Sequence, residues 1–244
     1  MRVEGRSTRF HERTKLEVPL EVVYSESADV AWREQTRTEE VTICGGGFTL
    51  SRPVEPQRLI HLKMPLPKQF RLFDFSKTEY GVWGLVRYVR LLPMNIADRI
   101  RLKVGTALVG HNPPPSYLRD PATLYDLKPV LRSRSLWELR ELPRSTGRYT
   151  RSFEDRQNVS TAVIIQTLDN HGHILETSAA ETQNVSEGGM ALVAKLGGKC
   201  LGFVLIKNPN NDYSLLAKVC GVYDLGTDNF TRLHLQFISG KWSV

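Results

Sequence analysis

The residues best suited to hold a small ligand lie in the second half of the chain. Asn184 and Ser186 stand two apart at the end of a run, residues 176–183, that reads as a strand. Their side chains therefore share one side of an extended backbone. Gly188 and Gly189 follow, and glycine lets a chain turn sharply and another group approach it closely. Upstream lie Arg144, Arg148, Arg151 and Arg156. A guanidinium fork can bond to O6 and N7 of guanine, pair with a phosphate or stack on a base. The Asn184 amide can donate and accept at a guanine edge, and the Ser186 hydroxyl can bond a ligand or brace its strand. Gly189 would leave room where a Cβ would clash. Such a set suits a compact, anionic, guanine-containing ligand.

The first half repeats the pattern. Arg9 and Arg13 are four apart in Arg9-Phe10-His11-Glu12-Arg13, and Thr42-Ile43-Cys44-Gly45-Gly46-Gly47 follows downstream. Arg13 to Thr42 spans 29 residues and Arg156 to Asn184 spans 28. On that spacing Thr42 takes the place of Asn184, Cys44 that of Ser186 and Gly47 closes the set. A repeat of this kind divides the 244 residues into two small domains.

The elements around these residues are short strands. Apolar and polar positions alternate over 16–24, with Pro19 suggesting an edge or a bulge. Polar residues 25–40 can form a hairpin back to Thr42. Runs 48–50, 58–64, 80–89 and 101–109 complete the first set, and 159–168, 174–183, 190–193, 201–207, 215–223 and 232–238 form the second. Turns are expected at 169–173, 208–212 and 226–229. Residues 1–15 read as a basic arm. Pro113, Pro114 and Pro115 mark the boundary. Beyond them, 116–142 is the one stretch with a helical stripe: Asp120-Pro121 can start a helix and Pro129 would split it. The predicted fold is mainly β: two small antiparallel barrels, residues 1–112 and 144–244, joined by a short helical connector at 113–143.

Asn184, Ser186 and Gly189 match the (Asp/Asn)-x-Ser-x-x-Gly motif of PilZ domains, and Arg9 and Arg13 match that family's upstream Arg-x-x-x-Arg. The chain resembles a tandem PilZ protein. The resemblance implies small β-barrels that bind the bacterial second messenger cyclic di-GMP and then act on a protein partner of the motility, pilus or exopolysaccharide machinery. Carried over residue by residue, it points to Arg148, Arg151, Arg156, Asn184, Ser186 and Gly189 in the second domain. In the first it points more weakly to Arg9, Arg13, Thr42, Cys44 and Gly47. The second domain has the full Asn-Ser-Gly set, but Arg151 lies one residue too far upstream of Arg156. Arg144 and Arg148 have the right mutual spacing, though Arg148 precedes Asn184 by 36 residues. The first domain has flawless arginines, but Thr offers no amide edge and Cys bonds poorly in place of Ser. The second domain is thus the favoured receptor. The alternative is a degenerate scaffold or dimerisation module without a nucleotide.

Other chemistry has little to stand on. Three cysteines, Cys44, Cys200 and Cys220, have no metal-site spacing. Gly197-Gly198-Lys199-Cys200 lacks the pattern of a phosphate-cradling loop. His171 and His173 stand at a turn without a nucleophile or metal set. The expectation is therefore a binding protein with no catalytic residues, metal or cofactor. Net charge is +7, which suits an anionic partner, yet no regular aromatic pattern favours nucleic acid. No apolar run reaches membrane-spanning length, and no signal peptide is read, so a cytoplasmic location is expected.

Overall fold

The computed structural model describes residues 13–93, 98–129, 136–143, 156–198, 202–211, 213–226 and 230–242. They fall into two compact units. The first is drawn from Met1–Thr49, Gln57–Arg87 and Gly105–Leu142, the second from Leu50–Pro56, Tyr88–Val104 and Pro143–Val244. Two stretches of the first half thus count with the second unit.

Seven strands build the first β structure: β1 (Thr14–Lys15), β2 (Pro19–Ser25), β3 (Ala31–Thr42), β4 (Gly45–Leu50), β5 (Leu59–Met64), β6 (Tyr80–Leu91) and β7 (Leu102–Gly110). Their order is β1-β3-β2-β5-β6-β7-β4, and β4 pairs back onto β3 to close the barrel. Alternation drives this local structure: in β2, Leu20, Val22 and Tyr24 are fully buried while Glu21 and Val23 are half-exposed. Each such inward side chain contributes about 2 kcal/mol on burial. Pro19 is the first residue of β2, opposite Arg37, and precedes the β2–β5 ladder that begins at Glu21. A strand start needs no ladder N–H from proline.

The connector folds with the first unit. Its helix, α1 (Pro115–Arg119), is shorter and earlier than the apolar stripe implies. Asp120 ends this helix in extended geometry, and its carboxylate accepts the Ala122 N–H at 2.9 Å, so it caps a turn. A small ladder follows, β8 (Tyr125–Leu127) with β9 (Leu139–Glu141). Tyr117 and Tyr125 pack on Leu59 and Leu85, with Trp83, Val109, Leu127 and Leu139 around them. Burial of these rings and aliphatic groups overrides the weak local helix preference.

The second barrel repeats the first. Its strands are β10 (Ala162–Leu168), β11 (Ile174–Ser186), β12 (Gly189–Lys195), β13 (Phe203–Lys207), β14 (Ser214–Asp224) and β15 (Phe230–Phe237). They close in the order β10-β11-β12-β15-β14-β13, which is the order of β2-β3-β4-β7-β6-β5. Ile165, Leu192, Val204, Ile206 and Leu233 form its fully buried centre. Within the second unit, the β10–β11 turn is also held by Ile100 and Asp98: the Ile100 N–H donates to Gly172 O at 2.9 Å and the Ile174 N–H to Asp98 O at 3.0 Å. Gly172 has φ +82°, and a Cβ there would lie 2.0 Å from Ser51 O. No helix among the described residues is long and apolar enough to cross a membrane.

Candidate ligand-binding site

The site in the second unit is set by an irregularity in β11. The register against β12 shifts between Thr182 and Asn184. One extra residue, Gln183, reverses the inside–outside alternation. Thr182 is buried, and so is Val185 three residues later. Asn184, which unbroken alternation from Thr182 would bury, is instead half-exposed.

Thr182 also pins the segment that carries the arginine. Its Oγ1 accepts the Thr161 N–H at 3.0 Å and donates to Val159 O at 2.6 Å. Its own N–H donates to Thr161 O at 3.0 Å. Two residues earlier, Gln157 and Val185 exchange both backbone hydrogen bonds at 2.9 Å. The incoming chain is therefore laid along the end of β11, and Arg156 arrives beside Asn184. Arg156 Nη1 donates to Asn184 Oδ1 at 3.4 Å, both side chains being open to solvent. An exposed guanidinium and an amide are thus held together on one strand end, with donors left to spare.

Ser186 and Gly189 do a different job. Ser186 is buried and its Oγ donates to Gly189 O at 3.2 Å. It braces the hairpin, facing Gly189 directly in the ladder. A Cβ on Gly189 would lie 2.3 Å from Leu235 O. The glycine is required by the close approach of β15, so the space beside it belongs to a neighbouring strand. Arg148 and Arg151 lie outside the described residues.

The first unit contains the same device. Thr38 Oγ1 accepts the Val18 N–H at 3.0 Å and donates to Leu16 O at 2.5 Å. The register of β3 shifts between Thr38 and Glu40, and Thr14 pairs with Val41. Arg13 therefore arrives beside Glu40, with which it forms an ion pair. Thr42 Oγ1 accepts the Cys44 N–H at 3.2 Å and lies 3.4 Å from Gly45 O, to which it donates. A Cβ on Gly45 would lie 2.8 Å from Thr106 O of β7.

Strand register thus aligns Arg13 with Arg156, Thr38 with Thr182, Glu40 with Asn184, Thr42 with Ser186 and Gly45 with Gly189. This is two residues off the alignment drawn from spacing, which put Thr42 in the place of Asn184 and Cys44 in that of Ser186. Cys44 is a buried turn residue whose carbonyl accepts the Trp137 indole N–H at 3.1 Å. Gly47 faces Glu40 across the ladder. Arg9 lies outside the described residues. Glu40 is the residue that spacing overlooked. A signal for it was present: Thr38-Glu39-Glu40-Val41-Thr42 and Thr182-Gln183-Asn184-Val185-Ser186 share Thr-x-x-Val followed by a hydroxyl residue.

Two closed barrels of one strand order therefore carry the same arginine, bulge and glycine hairpin. That is the arrangement the resemblance to a tandem of PilZ domains implies. No family model and no curated protein matches the chain. Among solved structures, the Borreliella burgdorferi PlzA protein in complex with c-di-GMP aligns over 93% of this chain and 86% of its own, with 7% identity and a TM-score of 0.28. The Bacillus subtilis inhibitor of motility MotI/DgrA aligns over 93% and 90%, with 11% identity and a TM-score of 0.26. Escherichia coli YcgR in complex with c-di-GMP aligns over 90% and 75%, with 12% identity and a TM-score of 0.25. The PilZ-like description rests on the chain's own motifs and strand register.

Proposed function

We propose that this chain is a receptor for cyclic di-GMP and that its second unit holds the ligand. The observation that carries this reading is the Arg156–Asn184 pair, set at an open strand end by the Thr182 clamp. In this reading Arg156 takes a phosphate or a guanine face, and Asn184 reads the guanine edge. Arg148 and Arg151 reach the same ligand from the preceding segment. Ser186 and Gly189 keep the hairpin in shape rather than touch the ligand. Binding draws the arginine-bearing segment onto the nucleotide, changes the arrangement of the domains and so regulates a protein partner. A ligand that engages these arginines in one state only can shift such an equilibrium.

The test is calorimetric titration of cyclic di-GMP into the whole protein and into the Arg156→Ala and Asn184→Ala variants. Each lost charge-assisted or guanine-edge contact costs about 1–3 kcal/mol, roughly fivefold to 150-fold in affinity. Absence of heat in the wild type, together with no competition against a labelled ligand, removes the receptor reading.

A further inference from the structure

The two units hold one arginine in one geometry but place different partners beside it. Asn184 offers Arg156 a neutral oxygen at 3.4 Å, so among the described residues this partner leaves the guanidinium charge available to a phosphate. Glu40 offers Arg13 a full negative charge and forms an ion pair with it. The pair is only partly open to water: the side chains are 42% exposed for Arg13 and 24% for Glu40. Across the ladder, Glu40 faces Gly47, where a Cβ would lie 3.1 Å from Glu40 Cγ. The matching position opposite Asn184 is Ala191. Glycine in β4 thus gives the longer acid the room it occupies.

We infer that Glu40 is a built-in counter-ion for Arg13 and keeps the first unit closed to a phosphate-bearing ligand, so that ligand enters the second unit alone. This rests on reading the arginine and its strand-end partner as the ligand contacts. A phosphate approaching Arg13 must displace the carboxylate and then sit a few ångströms from it. Repulsion between like charges at that range lowers affinity by roughly tenfold or more. Reach matters as well as charge. The motif matched by Asn184 also takes aspartate at this position, and an aspartate, one methylene shorter, holds its carboxylate further from Arg13, so Glu40→Asp opens the site as Glu40→Asn does.

The experiment is titration of labelled cyclic di-GMP into an Arg156→Ala/Asn184→Ala protein, alone and with Glu40→Asn or Glu40→Gln added. The expected result is no measurable binding in the double variant. Glu40→Asn then brings measurable binding, at least tenfold tighter than the detection limit, and a further Arg13→Ala abolishes it. A double variant that stays silent after both Glu40 substitutions, with its melting transition unchanged, overturns the inference. So does a double variant that binds and weakens on Glu40→Asn, because Glu40 would then be a ligand contact. A silent wild type alongside a binding Glu40→Asn protein removes the second-unit receptor and upholds the counter-ion. Silence in every protein removes both.

Discussion

At the scale of single residues, two glycines in equivalent hairpins have opposite roles. Gly189 has no space for a Cβ, because Leu235 O stands 2.3 Å from where it would go. Gly189→Ala must push β12 from β15, and overpacking of that kind costs about 1–3 kcal/mol. In the first unit, Gly46 pairs with Val41, as Met190 does with Val185. Its nearest atom would be Glu40 O at 3.7 Å, an ordinary contact. Gly46→Ala therefore fits, and restricting the unfolded chain stabilises by about 0.4–1 kcal/mol. Urea unfolding of both variants gives the two signs. Equal signs would contradict the packing described for one of the hairpins.

At the scale of elements, the bulge and its threonine position the arginine. Thr182→Val keeps the shape but leaves the Thr161 N–H and Val159 O without their partner. Both groups are part-buried, and each lost hydrogen bond costs about 1 kcal/mol. Loss of the clamp also frees Arg156, so ligand affinity falls although Thr182 touches no ligand. Thr182→Ser, which keeps the hydroxyl, restores both stability and affinity. Recovery of stability without affinity would show that the clamp does not position Arg156.

The β8–β9 ladder offers a further check at this scale. The Arg87 hydrogen bond, at 2.8 Å, is the main cause that holds the Asp126 carboxyl below its usual range, helped by the Leu127 N–H and Arg140. The folded carboxylate is thus the favoured form. Its contribution is present above the ordinary carboxylate range and is lost as pH falls through the depressed folded value. A carboxyl NMR titration should place Asp126 low, and Arg87→Ala should move the midpoint up. An unmoved midpoint would assign the shift elsewhere.

At the scale of the whole molecule, the proposed ligand is a dianion and the chain carries a net charge of +7. Affinity should therefore fall as salt rises, since screening acts on partly exposed charges. Saturating cyclic di-GMP should also protect the peptide bonds between residues 144 and 155 from limited proteolysis. An unchanged cleavage pattern would leave the arginines of that segment without a part in binding.

The strand string and the pair of barrels were legible because alternation and turn residues act over a few positions of chain. The nearness of Arg156 to Asn184 and of Ser186 to Gly189 could be read locally, since they sit in one strand, one hairpin and the segment leading in; their part in binding belongs to the proposal. The alignment of the first half was not legible. Both strands carry the bulge, at Glu39 and Gln183, so it cancels between the halves; what misled the count was the segment leading in, 27 residues from Arg13 to Glu40 against 28 from Arg156 to Asn184. That is why Glu40 was overlooked and Thr42 was set against Asn184 instead of Ser186. The role of Gly189 was equally hidden, because Leu235 lies 46 residues away and meets it only once the barrel closes. The connector's helical stripe gave way to a five-residue helix and a small ladder, because its tyrosines pack on Leu59 of β5 and Leu85 of β6. The sequence by itself determined the strands and the chemistry available to them. Register, and hence which arginine meets an amide and which an acid, was decided only by the hydrogen bonds of the closed barrels.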